Sequence, residues 1–332
     1  MIPNVAHFVW FGAQLPWVYT LALRSAATWG GFERVVLHHA DPLERTPVWS
    51  ELQAIPGFES RSLGRDALAW WFERVDLGAG AGADAAGLAR VYAALEAPAA
   101  RSNLVRALIL AVEGGVYLDL DTLSVRSLAP LRRAHGAFCG DERLVWPAAT
   151  RRDPSAVIGL AGLARAGVRD LYRRVPGGWR GFRRIEPLYP SAANNAVLAA
   201  VPGHPFVARL LAGMLAVPPA RRAVRFALGT HLLQAVLASG REPDLAVLPP
   251  RVFYPLGPEL SEHWFRSTRT PPALAELLSA DTRVVHWYAS VRTARIVPTI
   301  DQAWIRAHAD RRAFAALAAP LLDGRPRPWS EA

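Results

Sequence analysis

Two aspartates separated by one residue, Asp119 and Asp121, are the residues of this sequence best suited to chemistry. They follow an apolar run and are predicted to lie on one short strand, where side chains at i and i+2 share a face. Two adjacent carboxylates repel each other and resist burial unless a cation lies between or beside them. Oxygen ligands suit a hard divalent ion such as Mn²⁺ or Mg²⁺. The alternative interpretation is a strand end with two solvated acids.

The residues upstream favour the metal interpretation. Ser102, Asn103 and Arg106 have helical spacing and form a polar patch on a segment that is otherwise apolar through Val112. An arginine on so apolar a helix needs an anionic partner, either a carboxylate or a bound phosphate. Gly114-Gly115 then leads the chain directly into the strand with the acids. Arg106 and the aspartate pair are therefore expected to face one cleft.

Helix, Gly-Gly, strand and Asp-x-Asp in this order resemble the core motif of the Asp-x-Asp sugar-nucleotide glycosyltransferases. The similarity is to the bacterial capsular-polysaccharide type and the initiating mannosyltransferase-like family, and more distantly to glucosylating toxin catalytic domains. It continues in order through further segments: Ile2 to Gly12, Asn194-Asn195 with Pro202 to Phe206, Gly229 to His231, Phe253 to Pro255, and Val285 to Trp287. Two positions depart from the family pattern, since Asn103 replaces an acid and Thr230 replaces a proline.

The resemblance implies a set of site residues. Catalytic roles are expected for Asp119, Arg106 and Asn195. The residues expected to bind the nucleotide-sugar are Phe8, Trp10, Ser102, Asn103, Arg106, Asp119, Asn194 and Trp287. The expected metal ligands are Asp119, Asp121 and His286, with Mn²⁺ or Mg²⁺ as the cofactor. For His286 a buried core histidine stays open as an alternative, because it follows the apolar pair Val284-Val285.

These residues and the resemblance predict a metal-dependent hexosyltransferase that moves a sugar from a nucleotide-sugar, with UDP expected, to an acceptor hydroxyl. The resemblance implies retention of anomeric configuration. Bound metal would stabilise the diphosphate leaving group, with Arg106 as a second positive charge. The acceptor could be a glycan, a lipid-linked molecule or a small molecule such as a secondary metabolite. The alternatives are a phosphohydrolase of nucleotide-sugars, a basic nucleic-acid-binding protein, or a silent scaffold with the same fold. The dispersed arginines do not form a known nucleic-acid module, so no nucleic-acid partner is expected.

Composition restricts the location. The net charge is +10 and the basic residues are all Arg, a usage typical of a GC-rich bacterial genome. Cys139 is the only cysteine, so an intramolecular disulfide is excluded and a cytoplasmic protein is expected. The N-terminus does not resemble a signal peptide, and no apolar run approaches the roughly 20 residues of a membrane span. Membrane contact is left open only as peripheral contact at the inner face.

The order of elements predicts an α/β fold of the GT-A type, a Rossmann-like open mixed sheet flanked by helices with added helical segments. We expect one catalytic domain over residues 1–300 and a C-terminal helical tail over 301–332. The nucleotide-sugar half is expected at about 1–145 and the acceptor and helical half at about 146–300. Residues 77–88 are expected to form a mobile Gly-Ala loop, and residues 150–190 a loop region that faces the acceptor.

Overall fold

The structure is a computed structural model that describes residues 1–78, 85–147, 155–240, 242–291, 293–325, 327 and 329. The strands are β1 (Val5–Trp10), β2 (Arg34–His39), β3 (Phe58–Ser62), β4 (Gly115–Leu118), β5 (Thr122–Ser124), β6 (Ala137–Arg143), β7 (Ser191–Ala200), β8 (Leu245–Leu248) and β9 (Val284–His286). The α-helices are α1 (Thr20–Thr28), α2 (Trp49–Gln53), α3 (Arg65–Arg74), α4 (Ala85–Ala94), α5 (Pro98–Val112), α6 (Ala129–Ala134), α7 (Ala156–Arg174), α8 (Trp179–Ile185), α9 (Pro205–Ala216), α10 (Pro219–Arg222), α11 (Thr230–Ala238), α12 (Pro250–Phe253), α13 (Leu274–Leu277), α14 (Gln302–His308) and α15 (Ala313–Asp323). Short 3₁₀ helices lie at Trp17–Tyr19, Glu186–Leu188, Ser261–Trp264 and Val297–Thr299.

Seven strands form one open sheet in the order β3-β2-β1-β4-β7-β6-β8. All of them run parallel except β7, which is antiparallel to both β4 and β6. A mostly parallel sheet needs helices on both faces, because its strands are apolar on both sides. The predicted fold class, an open mixed α/β sheet flanked by helices, is confirmed.

The turn between α5 and β4 explains how the chain enters the site. Pro98 starts α5, a position where its missing N–H is no loss. At the other end Gly114 has a φ of 67° and Gly115 a φ of 103°, values that residues with a side chain rarely adopt. A Cβ on Gly115 would lie 2.7 Å from Val5 Cγ1. Glycine therefore lets the chain reverse tightly beneath β1 and enter the middle of the sheet.

The buried apolar side chains form three clusters. Leu108, Phe206 and Leu233 belong to one apolar cluster, which joins α5, α9 and α11 to the sheet. Leu23 and Phe253 belong to a second cluster, which includes buried residues of α1 and α12. The third lies where β5 and β9 form a separate two-stranded sheet, and it includes Trp287 and the α15 residues Phe314 and Leu317. The residues predicted as a helical tail thus contribute α14 and α15 to this packing.

Three local predictions were wrong. Residues 150–190 were expected as a loop, but α7 and α8 lie within them. Five apolar side chains of α7 are exposed, while Ala166 and Tyr172 pack against the third core cluster. The expected loop over residues 77–88 runs into α4 from residue 85 onward, and residues 79–84 lie outside the described part. The third is the short strand that was expected to carry both Asp119 and Asp121. Strand β4 ends at Leu118, the Asp119 N–H still donates to the carbonyl of Ala196 in β7, and Asp121 lies in the turn that follows. Among the described residues no helix combines the length and the apolar character needed to cross a bilayer.

Candidate metal centre and adjoining cavity

Asp119 and Asp121 lie in a turn between β4 and β5. The backbone N–H of Thr122 donates to the carbonyl of Asp119 at 3.1 Å, and the Thr122 hydroxyl donates to the same oxygen at 2.7 Å. This turn, rather than a shared strand face, brings the two carboxylates together. It lies at the carboxyl end of β4, where open α/β sheets commonly bind ligands.

Pairing between β5 and β9 brings His286 to the same place from far along the chain. Thr122 lies opposite His286 in this antiparallel pair, and the N–H of Trp287 donates to the carbonyl of Asp121 at 3.0 Å. His286 Nε2 is then 3.1 Å from Asp121 Oδ1, while Asp121 Oδ2 accepts from the N–H of Ala289 at 2.7 Å. The predicted convergence of the aspartate pair with His286 is therefore present.

The three side chains make a donor set that fits a divalent cation. Asp119, Asp121 and His286 each offer a ligand atom, and these atoms lie within 4.8 Å of one another. The Nδ1 atom of His286 is buried with no hydrogen-bond partner among the described residues, so the protein does not hold both ring nitrogens itself. Two carboxylates and an imidazole suit Mn²⁺, and the oxygens alone suit Mg²⁺.

Electrostatics at this centre favour negative carboxylates close to a positive group. Burial opposes charge on both Asp121 and His286, but their mutual attraction outweighs it. The pKa of Asp121 is consequently held below its ordinary value, and the pKa of His286 lies above its ordinary value. A cation at this point would take over the positive charge that the imidazolium supplies.

A cavity of about 350 Å³ opens beside these three residues. Its size falls within the range of about 300–1,000 Å³ that is usual for ligand pockets. Its walls include Asn194, Asn195 and Glu142, with Trp146 and Phe226 also among the lining residues. The cavity therefore combines polar groups that can orient a sugar or phosphate with aromatic surface.

Glu142 is a functional candidate that the sequence analysis missed. Its side chain is buried, and Oε2 accepts hydrogen bonds from Asn194 Nδ2 and from the Tyr288 hydroxyl, both at 2.8 Å. Burial raises its pKa to about 7, although the two hydrogen bonds act in the opposite direction. The cavity thus contains a carboxyl group that changes its proton state near neutral pH.

The position of Glu142 results from an irregularity in β6. The register with β7 shifts between Cys139 and Gly140, a bulge that alters which way the following side chains point. The available signal was a run of two acids in a strand, Asp141-Glu142, since charged residues inside a central strand need a reason. Gly140 lies at the bulge, and an isolated glycine within a strand is a sequence signal of such an irregularity.

The side chain of Arg106 is buried and contacts Asp119. It is 6% exposed, and its guanidinium lies 4.2 Å above the Tyr117 ring. Arg106 Nη2 is 3.1 Å from Asp119 Oδ1, and Nη1 donates to the carbonyl of Asn195 at 2.6 Å. The Tyr117 hydroxyl donates to the same Asp119 oxygen at 2.7 Å. Arg106 therefore fixes Asp119, and it does not line the cavity.

The polar patch on α5 is joined to the asparagine pair on β7. Ser102 Oγ accepts from Arg106 Nη2 at 3.3 Å, and Asn103 Oδ1 accepts from Asn195 Nδ2 at 2.8 Å. Asn103 therefore acts as an acceptor, which an acid in its place would also be. The sequence prediction that Ser102 and Asn103 touch the donor stays a prediction. Their observed contacts hold Arg106 and Asn195.

Of the aromatic residues predicted for the site, Phe8 and Trp10 lie on β1, and Trp287 directly follows β9. Phe8 is fully buried in the core, and Trp287 is almost fully buried. Trp10 and Trp287 are linked through Tyr19, whose ring centroid lies 5.4 Å from Trp10 and 6.0 Å from Trp287. Burial and the nearby carboxylates of Asp121 and Asp119 raise the pKa of Tyr19 to about 12. This aromatic group therefore borders the metal centre, and Trp10 and Tyr19 are its half-buried members.

The fold and the site place a candidate divalent-metal centre and a cavity at the carboxyl end of a mostly parallel sheet. Residues 76–137 match the family described as "Glycosyltransferase sugar-binding region containing DXD motif". The matched segment runs through α4, α5, the Gly-Gly turn and the Asp119-Leu120-Asp121 turn to the first residue of β6. This segment is therefore similar to that sugar-binding region, and the predicted likeness to Asp-x-Asp glycosyltransferases, as an enzyme class, is confirmed. The two narrower families named above stay predictions.

Several solved structures are similar to the chain in fold. The PaToxG glycosyltransferase is 14% identical over 72% of this chain and 69% of its own, with a TM-score of 0.44. Mouse xyloside xylosyltransferase 1, in its apo form, is 14% identical over 86% of this chain and 98% of its own, with a TM-score of 0.44. The UDP-bound glycosyltransferase domain from the YGT toxin is 12% identical over 64% of this chain, with a TM-score of 0.32, and the chain spans 62% of that domain. No curated protein sequence matches the chain.

Proposed function

We propose that this protein is a divalent-metal-dependent hexosyltransferase that moves a sugar from a UDP-sugar to an acceptor hydroxyl, with retention of anomeric configuration. The observation that carries the proposal is the convergence of Asp119, Asp121 and His286 beside the cavity, directly after the Gly-Gly turn of the matched region. A cytoplasmic bacterial enzyme is part of the same proposal, since Cys139 leaves no disulfide to form.

Asp119, Asp121 and His286 would hold the Mn²⁺ or Mg²⁺ ion. When bound, such an ion neutralises charge on the donor diphosphate, so that the nucleoside diphosphate becomes a better leaving group. Arg106 and Tyr117 hold Asp119 from behind, and the Ala289 N–H holds Asp121. These contacts fix both carboxylates before donor binds, which lowers the cost of organising the site.

The cavity wall offers an asparagine pair, Asn194 and Asn195, and the carboxyl group of Glu142 for contact with the sugar. Asn194 and Asn195 both line the cavity, and each is fixed by a hydrogen bond, to Glu142 and Asn103 respectively. Glu142 is the buried cavity carboxyl that is hydrogen-bonded to neutral groups, whereas Glu259 in the same wall pairs with Arg169. We therefore assign sugar orientation to the asparagines, and we place Glu142 where it can hold a proton near a hydroxyl of bound sugar or acceptor.

The test is donor binding, followed by transfer. The melting temperature is measured with a panel of UDP- and GDP-sugars. A UDP-sugar should raise the melting temperature, and only when Mn²⁺ or Mg²⁺ is present. A donor at 100 times its dissociation constant adds about 2.7 kcal/mol to stability. His286→Ala should lose this shift, while Asp281→Asn, an exposed acid paired with Arg251, should retain it.

Turnover distinguishes transfer from hydrolysis. The proposal predicts that release of UDP accelerates when sugar acceptors are added and that the product retains its anomeric configuration by NMR. Release of UMP and sugar 1-phosphate, independent of every acceptor, would identify a nucleotide-sugar phosphohydrolase instead. A donor shift of equal size in excess EDTA would contradict the metal-dependent site.

A further inference from the structure

Helix α7 exposes its apolar side to solvent. Val157, Leu160 and Leu171 are 77%, 71% and 63% exposed, and Leu163 and Val168 are exposed as well. At 3.6 residues per turn these positions fall on one broad side of the helix. The opposite side meets the protein, where Gly162 lies against the Trp146 ring. The arrangement is the reverse of an ordinary surface helix, whose apolar side faces inward.

The charged residues of α7 are mostly turned away from this apolar stripe. Arg169 pairs with Glu259 at 2.5 Å, and Arg173 lies 3.4 Å from Glu262. Both glutamates belong to the body of the protein, so these arginines anchor the helix. Arg174 is exposed, and its helical position places it within the stripe. The stripe is therefore a continuous apolar surface with a cation at its C-terminal end.

The charge around the helix identifies an occupant. The chain carries a net charge of +10, and Arg174 is exposed at the end of the stripe, whereas Arg180 on α8 is already paired with Glu276. An apolar helix side with cationic neighbours is the pattern of helices that lie in the surface of an anionic membrane.

We propose that α7 docks the protein on an anionic phospholipid bilayer, with its leucines and valines in the headgroup boundary and Arg174 against lipid phosphates. The helix also borders the cavity, since Arg169 and Trp146 are among the lining residues. Docking would therefore hold the cavity close to the membrane surface. Docking would also favour a lipid-linked hydroxyl as the acceptor, and this part of the inference rests on the proposed glycosyl transfer. The docking itself does not.

The experiment is flotation of the full chain with vesicles of phosphatidylcholine, alone or mixed with the anionic lipid phosphatidylglycerol. Wild type should float with the anionic vesicles and much less with the neutral ones. The double variant Leu160→Gln/Leu171→Gln should bind the anionic vesicles at least about tenfold more weakly, because two exposed leucines no longer enter the boundary. Arg174→Glu should weaken binding and reduce its dependence on salt.

Trp70→Gln is the matched control, because it removes an exposed apolar side chain from α3 instead of α7. It should bind vesicles as wild type does. Donor binding in solution should be unchanged in the α7 double variant, so failure of docking and failure of the proposed function are separate results. Undiminished vesicle binding by the double variant would overturn the proposal. So would a wild-type dimer in analytical ultracentrifugation that dissociates in the double variant, since that would assign the stripe to a second copy.

Discussion

Replacing Arg106 by alanine should damage stability and metal binding together. Its guanidinium is buried, stacks on Tyr117 and contacts both Asp119 and the carbonyl of Asn195. Removing it leaves the Asn195 carbonyl and part of Asp119 without their partner. Breaking a buried ion pair costs about 3–5 kcal/mol, and because Asp119 is partly exposed we expect about 3 kcal/mol. In a chain of 332 residues that loss lowers the melting temperature by about 4 °C.

The assay combines differential scanning calorimetry with Mn²⁺ titration of the folded variant. Since Asp119 loses the group that fixes it, the folded Arg106→Ala protein should also bind Mn²⁺ more weakly. Arg34→Ala is the control, because Arg34 makes a two-point contact with Glu59 on the surface and its loss should cost less than about 1 kcal/mol. An unchanged melting temperature with strongly reduced turnover would refute the reasoning, since it would mean that Arg106 serves the donor and not Asp119.

Three other changes test particular contacts. Glu142→Gln should remove a pH dependence of stability. The folded-state pKa of Glu142 is about 7 against an ordinary 4.5, so the folded protein binds more protons between those values. The wild-type free energy of unfolding should therefore fall by up to about 3 kcal/mol relative to the variant as pH rises from 4.5 to 7, in urea titrations at each pH. Gly115→Ala should cost at least about 2 kcal/mol by the same measurement, because a Cβ would lie 2.7 Å from Val5 Cγ1. Gly203→Ala, also at positive φ but in open space, should cost only about 1–2 kcal/mol, and equal losses at both glycines would show that packing beneath β1 is unimportant. Asn103→Asp should keep the hydrogen bond from Asn195 Nδ2 and change donor affinity less than Asn103→Leu, and the reverse order would contradict an acceptor role.

The sequence predicted the parts of the site that depend on local pattern. The Gly-Gly turn, the apolar helix before it and the two acids after it are adjacent in the chain, and so their order defines the local structure. His286 was predicted through its resemblance to a late landmark of a known family. The structure adds the pairing of β5 with β9, a long-range contact that local pattern does not encode.

The parts that were missed depend on tertiary geometry. Glu142 enters the cavity because of a bulge in β6, and its pKa is raised by burial that arises only after the sheet has formed. Arg106 has an anionic partner, as expected, but the choice between Asp119 and a donor phosphate required coordinates. Helix α7 was predicted as loop because residues 150–190 are rich in Arg, Gly and Pro, although the exposed Leu160, Leu163 and Leu171 do fall on one side of the helix.

Isothermal titration of UDP into the protein, with and without Mn²⁺, tests the central claim most directly. Wild type should bind UDP measurably tighter with Mn²⁺ than in EDTA, because Asp119, Asp121 and His286 and the diphosphate would share the ion. Asp121→Asn should bind UDP equally weakly in both conditions while it keeps the wild-type circular dichroism spectrum. An Asp121→Asn protein that retains the full Mn²⁺-dependent gain in UDP affinity would contradict the metal centre.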